Sequence, residues 1–446
     1  MRNSAIARLI VMAVLALALL LPLSWVWSIV SERAARRKDA VAEVSTTWGG
    51  PQTLAGPVLA VPYIVTWSDS AGRPQRGICR AYFLPRDLHV RGTLDPQTRK
   101  RGIFEVIVYQ AELAIDGRFA PPDLSWIRPA PESIEWQNAT ISIGVSEPKG
   151  LARRVSLRLG DDEAPFSAGT TDVGLFQTGI EARVPRSEAL QQRTDLTFSL
   201  TLAVNGTRDV RFLPAAGETS VDLTSAWSHP SFVGSPLPDH RPASGGGFTA
   251  QWQAPDFGRA YPARWTSGAM DRDHLLAQAR ASAFGVSLVQ PVDIYHQAER
   301  AVKYAALFVV LTFLVFFLWE VFHAALLHPM QYAFVGFALC VFYLLLVSIS
   351  EHAGFDTAYS LSAGVTTLLI TGYARAVLRG RRQAASVLAS LASLYGFLYL
   401  LLRLEDYALL AGSVGLFVIL AAVMYATRRM DWYSLRLGVK PDQPAA

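Results

Sequence analysis

The chain has 446 residues, of which 51% are hydrophobic and only 17% are charged, and its formal net charge is +5. Soluble domains usually carry about a quarter charged residues, so this composition excludes an ordinary soluble protein. Much of the positive surplus lies beside apolar runs without a nucleic-acid-binding motif, so we expect no nucleic acid partner.

The first element is an apolar run over Leu9–Ser31, 23 residues without a charge. It is longer than the ~7–15 apolar residues of a cleaved signal peptide, and a bilayer needs about 20. Trp25 and Trp27 lie near its outer end, where interfacial aromatics occur. We therefore interpret 1–31 as an uncleaved transmembrane anchor. Residues 32–44 contain neither Gly nor Pro, which predicts that the helix continues beyond the membrane.

Residues 32–300 form a polar region whose pattern is mainly β. Alternating, β-branched and aromatic residues predict strands at Val58–Trp67, Arg80–Leu84, Phe104–Ile115, Ser133–Val145, Val155–Leu159, Thr194–Val204 and Phe248–Trp252. Asn205–Gly206 predicts a hairpin turn, and Asp271–Phe284 predicts a helix ending at Gly285. Many closely spaced strands favour a large, antiparallel, sandwich-like domain. Cys79 and Cys340 lie in polar and apolar surroundings respectively, so we expect no intramolecular disulfide.

Residues 301–427 predict a bundle of five further spans, followed by a tail at 428–446. The runs are Tyr304–Trp319, Met330–Ser350, Thr357–Ala374, Ala384–Leu402 and Tyr407–Thr427. With the N-terminus inside, ten Lys and Arg residues lie on the inner side and only Arg403 lies in a short outer loop. This bias predicts that both termini are cytoplasmic and that the polar domain is periplasmic.

Two groups of charged residues are candidate sites. Glu320 and His323 share one face of a helix, and intramembrane ionisable residues are functional candidates, although a position near the interface would let both reach water. Arg33, Arg36 and Arg37 share another face, which we expect to dock against the acidic outer loops. Those loops contain Glu351, Asp356, Glu405 and Asp406. Two alternatives stay open: the acidic residues simply cap helix ends, and the arginines bind anionic lipid headgroups.

Catalytic motifs do not emerge from the sequence. It contains no G-x-S-x-G, no phosphate-binding Gly loop and no H-E-x-x-H, and its eight histidines are scattered. We therefore predict no catalytic, cofactor-binding or metal-binding residues, and no cofactor.

Several segments in order resemble the CreD family of bacterial inner-membrane proteins. They are WGGPQTLAGPVLAVPY at 48–63, the stretch 83–113, WSHPSFVG at 227–234, 287–308, 328–352 and MDWY at 430–433. The resemblance covers nearly the whole chain. It implies a role in cell envelope integrity and stress response, linked to a two-component system of sensor kinase and response regulator.

Three functions remain open from the sequence. The first is a non-enzymatic stress protein that senses or scaffolds through its periplasmic domain, with envelope components or other membrane proteins as partners besides the bilayer. The second is a transporter or channel, which would need polar groups near the bilayer midplane. The third is a periplasmic enzyme that modifies the envelope. The sequence does not indicate an oligomeric state.

Overall fold

A computed structural model describes residues 5–428, except 69–72, 171–172, 186–187, 193, 241–242, 245, 270, 291–293, 324–326, 379 and 405–406. The chain divides into two compact units. A helical unit comprises Met1–Lys38 and Val292–Ala446, and a β unit comprises Asp39–Pro291.

The helices of both units can be given in chain order. They are α1 (Ala5–Trp48), α2 (Glu188–Gln191), α3 (Arg272–Ala281), α4 (Ile294–Lys303), α5 (Ala305–His323), α6 (Pro329–Ala353), α7 (Phe355–Leu378), α8 (Arg381–Arg403) and α9 (Ala408–Thr427). The predicted continuation of the first helix beyond residue 31 is confirmed, because α1 runs unbroken for 44 residues. Its residues up to Lys38 belong to the helical unit and the rest to the β unit.

The strands of the β unit form two sheets. In chain order they are β1 (Gln52–Ser68), β2 (Pro74–Phe83), β3 (Asp87–Arg101), β4 (Phe104–Phe119), β5 (Ser133–Ile134), β6 (Thr140–Val145), β7 (Ser156–Leu159), β8 (Asp162–Pro165), β9 (Ser167–Ala168), β10 (Gly179–Arg183), β11 (Leu196–Thr207), β12 (Asp209–Phe212), β13 (Glu218–Ser225), β14 (Pro230–Val233), β15 (Ala243–Ser244), β16 (Gly247–Pro255), β17 (Arg264–Thr266) and β18 (Phe284–Leu288). The first sheet follows the order β14-β18-β12-β1-β6-β10-β9, with β2 and β5 also paired to β1 and with β17 paired to β2. The second follows β15-β16-β13-β3-β4-β11-β7-β8.

Each predicted strand region contains strand in the structure, but three details differ. The predicted strand Ser133–Val145 is interrupted by a 3-10 turn at Trp136–Asn138. The helix predicted to reach Gly285 ends at Ala281, with Asp271 as its N-cap, and Phe284 instead begins β18. The sheets are mixed rather than purely antiparallel, since β1 pairs with β12 and β3 pairs with β13 in parallel.

The predicted hairpin at Asn205–Gly206 is wrong. Both residues lie within β11 and pair with Gln110 and Tyr109 of β4. The chain changes direction at Arg208, which has a φ of 58°, and then enters the other sheet as β12. Gly206 is required by close packing, because a Cβ there would overlap the ring and hydroxyl of Tyr109.

Each unit has its own hydrophobic core. Side chains from both sheets, such as Leu59, Ile141, Leu113 and Val221, form one continuous cluster in the β unit. The second cluster lies in the helical unit, where α1 contributes the stripe Met12, Leu19, Leu23, Val26 and Val30.

Among the residues that the structure describes, five helices are long and apolar enough to cross a membrane: α1, α5, α6, α8 and α9. The remaining predicted span, Thr357–Ala374, lies within α7, whose 24 residues include buried Ser362, Thr366 and Thr367. These hydroxyls interrupt the apolar side chains of α7. A count of six spans therefore stays a prediction.

Candidate functional site

Glu320 on α5 is a buried carboxylate, with 1% of its side chain exposed. Arg8 of α1 forms an ion pair with it. The Tyr332 hydroxyl of α6 donates a hydrogen bond of 2.8 Å to Oε2, and the backbone N–H of Leu327 donates one of 3.3 Å to Oε1. Both carboxylate oxygens are thus engaged, which offsets the cost of burying the charge. We call these residues the Glu320 cluster.

The start of α6 explains how Tyr332 reaches Glu320. His328 is the N-cap and its ring accepts a hydrogen bond from the Met330 N–H, while Gln331 accepts one from the His328 N–H. Pro329 occupies the first turn, as predicted, where its missing N–H costs nothing. Tyr332 follows directly in this capped first turn and packs edge-on against Phe313 of α5.

A second cluster surrounds Glu351 near the C-terminal end of α6. The Tyr295 hydroxyl of α4 donates a hydrogen bond of 3.0 Å to Glu351 Oε1, and Arg33 Nε of α1 lies 3.7 Å from the same oxygen. The Glu351 side chain is only 8% exposed. Burial and the adjacent Glu351 carboxylate raise the pKa of Tyr295, so its hydroxyl stays a donor at physiological pH. We call these residues the Glu351 cluster.

The remaining predicted docking residues have different surroundings in the structure. Asp356, at the start of α7, pairs with Arg403 of α8 at 2.6 Å and accepts a hydrogen bond from the Tyr399 hydroxyl. Arg36 pairs with Glu32 on its own helix at 2.6 Å, and both side chains are exposed. Arg37 contributes to the electrostatic surroundings of Tyr295. Glu405 and Asp406 lie outside the described residues.

The predicted pairing of Glu320 with His323 is described for Glu320 alone. Glu320 faces Arg8 and Tyr332, whereas His323 is placed only as the last residue of α5 and its side chain lies outside the description.

Sequence reasoning placed Arg33 opposite the loop with Glu351, but it missed Tyr295 beside Glu351 and both Arg8 and Tyr332 beside Glu320. In the sequence Arg8 serves only as one of the positive charges that predict membrane orientation. Nothing in the local sequence indicates a role for Tyr332 or Tyr295. The sequence offers one indication of the pair Arg8 and Glu320. Arg8 directly precedes one apolar run, and Glu320 is the single carboxylate in the helix that contains another. The tyrosines could not be found, because their role depends on which helices are neighbours.

The β unit has an open polar groove of about 470 Å³ on the second sheet. Its lining comes from β3, β13 and β16 with the adjoining turns: Thr93, Leu94, Thr224, Ser225, Ala226, Gly246, Gly247, Phe248 and Thr249. These lining residues are uncharged, so the groove presents hydroxyl and backbone groups. We call it the hydroxyl groove.

No group of three or more His, Cys, Asp or Glu side chains in the described ranges is arranged to hold a metal ion. The clusters around Glu320 and Glu351 join side chains from different helices. Their chemistry is that of matched charges and hydrogen bonds, which position helices.

Together these features define a membrane protein that combines apolar helices, joined by ion pairs to two buried carboxylates, with a large β unit. The profile of the family described as inner membrane protein CreD matches residues 4–433. The inner membrane protein CreD of Escherichia coli (strain K12) is 34% identical over 425 residues, which cover 94% of this chain and 92% of that protein. The chain therefore belongs to the CreD family.

Proposed function

We propose that this protein supports envelope integrity from the inner membrane without enzymatic activity, sensing or scaffolding through its β unit. In this proposal residues 1–31 are the anchor, 32–300 the periplasmic domain, 301–427 the five-span bundle and 428–446 a cytoplasmic tail. The sandwich-like description of the domain follows from its many closely spaced strands. The link to a two-component system and stress response follows from the resemblance to the CreD family.

The observation that carries this proposal is the contrast between the two units. Glu320 and Glu351 are engaged by partners from other helices, which suits a supporting bundle. The hydroxyl groove of the β unit is instead open and offers polar groups to a ligand. A recognition role therefore fits the β unit better than the bundle.

The proposed orientation has two supports. Arg8 lies at the N-terminal end of α1, and Arg375, Arg381 and Arg382 lie around the connection between α7 and α8, which the positive-inside rule places in the cytoplasm. The 24 residues of α7 span about 36 Å, enough to cross the bilayer core as a sixth span.

Arg33 is one of the three arginines proposed to dock α1 against acidic residues, and it is paired with one of them. This residue faces Glu351 within the helical unit, as the acidic-loop hypothesis requires, and the burial of Glu351 makes the pair stronger than an exposed one. Arg36 is the natural comparison, because its partner Glu32 lies on the same helix and is exposed.

The function is tested in an E. coli K12 strain that lacks its own CreD protein. We expect the full chain to restore survival under a β-lactam or a detergent. The double variant Thr93→Tyr/Thr249→Tyr, which fills the hydroxyl groove, should fail at an equal amount of membrane protein. Thr98→Tyr places the same ring on an exposed part of β3 outside the groove and should restore survival. Equal survival with all three proteins would refute recognition through this groove.

A second candidate function, transport of a small polar solute through the bundle, is favoured by the hydroxyls of α7. Ser362, Thr366 and Thr367 are buried, and within the described residues the Ser362 and Tyr343 hydroxyls have no hydrogen-bond partner. Hydroxyls between helices also serve as packing contacts. Uptake of glycerol into vesicles containing the purified protein, compared between wild type and Ser362→Ala, distinguishes these roles, since only transport predicts a change in uptake.

A further inference from the structure

An apolar groove of about 580 Å³ runs along the side of the helical unit. Three helices line it: α5 with Leu311, Leu314, Val315 and Leu318; α8 with Ala389, Ser390, Ser393, Leu394 and Phe397; and α9 with Gly415, Val418, Ile419 and Val423. We call it the α9 groove. Its wall at Gly415 is tight, because a Cβ there would overlap the Phe397 ring.

The α9 groove lies beside a helix with little other contact to the bundle. Ala408 is the one buried residue within α9, and Phe417 is 72% exposed. In a bilayer, helix surfaces of this kind face hydrocarbon. The groove is therefore accessible from the lipid phase.

Positive charge lies at one end of the groove walls. Arg381 and Arg382 begin α8, and Arg428 directly follows α9. Since α8 and α9 are consecutive and both have membrane-spanning length, the start of α8 and the end of α9 lie at the same side. All three arginines have exposed side chains.

The spacing between the arginines and the groove suits a lipid. Arg382 precedes Ala389 by about 11 Å of helix, and Arg428 follows Val423 by about 8 Å. A phosphate bound by the guanidinium groups would therefore place the first part of its acyl chain at the groove entrance.

The length of the groove separates a lipid from a second copy of the chain. Gly415–Val423 covers about 12 Å, less than half of the ~30 Å hydrocarbon core. A membrane helix from another copy would need contact over most of that thickness, whereas one acyl chain occupies a single leaflet.

We propose that the α9 groove binds one anionic phospholipid, with an acyl chain among α5, α8 and α9 and the phosphate at Arg381, Arg382 and Arg428. Basic sites at the cytoplasmic ends of membrane helices are suited to anionic headgroups. The assignment to the cytoplasmic leaflet rests on the proposed orientation, but binding itself does not.

Native mass spectrometry of the detergent-purified full chain tests this site, with phosphatidylglycerol and phosphatidylcholine as probes. We expect wild type to retain one phosphatidylglycerol in preference to phosphatidylcholine. Arg381→Gln/Arg382→Gln/Arg428→Gln should weaken that retention about tenfold or more, since each arginine contributes about 1 kcal/mol near an anionic surface. Ser390→Trp, which fills the groove, should abolish it.

Arg375→Gln is the matched control, because Arg375 lies on α7, outside the helices that line the groove. It should retain the lipid as wild type does. The triple variant could retain phosphatidylglycerol as well as wild type does, or Arg375→Gln could lose as much of it as the triple variant. Either result would mean that the lipid binds the protein surface without a specific site. A dimer that Ser390→Trp dissociates would assign the groove to a second copy. Both results overturn the proposal, and neither depends on the function of the β unit.

Discussion

The carboxylate of Glu320 lies among apolar side chains, so its stability depends on the few groups that contact it. Arg8 supplies the opposite charge and Tyr332 supplies a hydrogen bond, and each comes from a different helix. The side chain of Arg8 is 20% exposed and can reach water, whereas Glu320 cannot. This asymmetry determines how each substitution should behave.

We expect Glu320→Gln to lower the free energy of unfolding by about 1–3 kcal/mol, because it removes the negative partner of Arg8 and weakens the bond from Tyr332. The measurement is the thermal unfolding midpoint of the purified full chain in detergent. Glu299→Gln is the control, since Glu299 forms an exposed pair with Lys303 at 3.9 Å, worth about 0–1 kcal/mol.

The charge contribution can be isolated by removing both partners. Arg8→Met combined with Glu320→Gln should recover part of the stability lost by Arg8→Met alone, because Arg8→Met leaves the buried Glu320 carboxylate unpaired and the double variant does not. The contrary result is a decrease in midpoint of the double variant that equals the sum of the two single decreases. In that case the two residues act independently, and the proposed pairing is incorrect.

At the scale of elements, α1 is attached to the bundle by side chains at widely separated positions. Arg8 and Arg33 are 25 residues apart, about 37 Å of helix, which exceeds the ~30 Å hydrocarbon core. Between them Leu19 packs closely on α6, where a Cβ at Gly336 would overlap its side chain. Two ion pairs and an apolar stripe thus fix the register of one helix.

The pair between Arg33 and Glu351 can be tested by exchanging the two charges. Arg33→Glu and Glu351→Arg should each lower the unfolding midpoint, and the double swap should be more stable than either single variant, with a coupling of about 1 kcal/mol. Arg36→Gln should change the midpoint little, because Arg36 and Glu32 are both exposed. A double swap no better than Glu351→Arg alone would leave lipid headgroups as the partners of these arginines.

The β unit depends on close packing between β11 and β4. The Tyr109 hydroxyl donates a hydrogen bond of 2.7 Å to the Asp209 carbonyl, and burial raises the pKa of Tyr109 well above its ordinary value. Gly206→Ala should therefore cost about 1–3 kcal/mol through overpacking against Tyr109. Resistance of the full chain to limited proteolysis measures this loss. Gly258→Ala, whose Cβ would meet no atom within 4 Å, should resist proteolysis as wild type does.

At the scale of the whole molecule, the proposed topology predicts where each unit lies. Reporters fused after Gly150 and after Gly380 should read periplasm and cytoplasm respectively, because the arginines around Gly380 oppose translocation. Activity of a periplasm-dependent phosphatase and fluorescence of a cytoplasm-dependent protein measure the two positions. The same compartment at both positions would contradict the three spans, α5, α6 and α7, that the proposed topology places between them.

The features that depend on local composition could be predicted from the sequence. Apolar length predicted the five helices that are long and apolar enough to cross a membrane, the absence of Gly and Pro predicted the continuation of α1, and Pro329 marked the start of α6. Segments of ordered motifs identified the CreD family, which the comparisons confirm. Each of these signals lies within a short stretch of chain.

Only the tertiary structure decided which distant residues meet. Asn205–Gly206 has the local signature of a turn, yet pairing with β4 keeps both residues extended, since long-range ladder bonds outweigh local preference. Arg8 and Glu320 are 312 positions apart, and no local pattern joins them. Asp356 selects Arg403 rather than α1 because α7 and α8 are neighbours in the bundle. Charge pairing requires proximity, and proximity is set by helix packing over the whole unit.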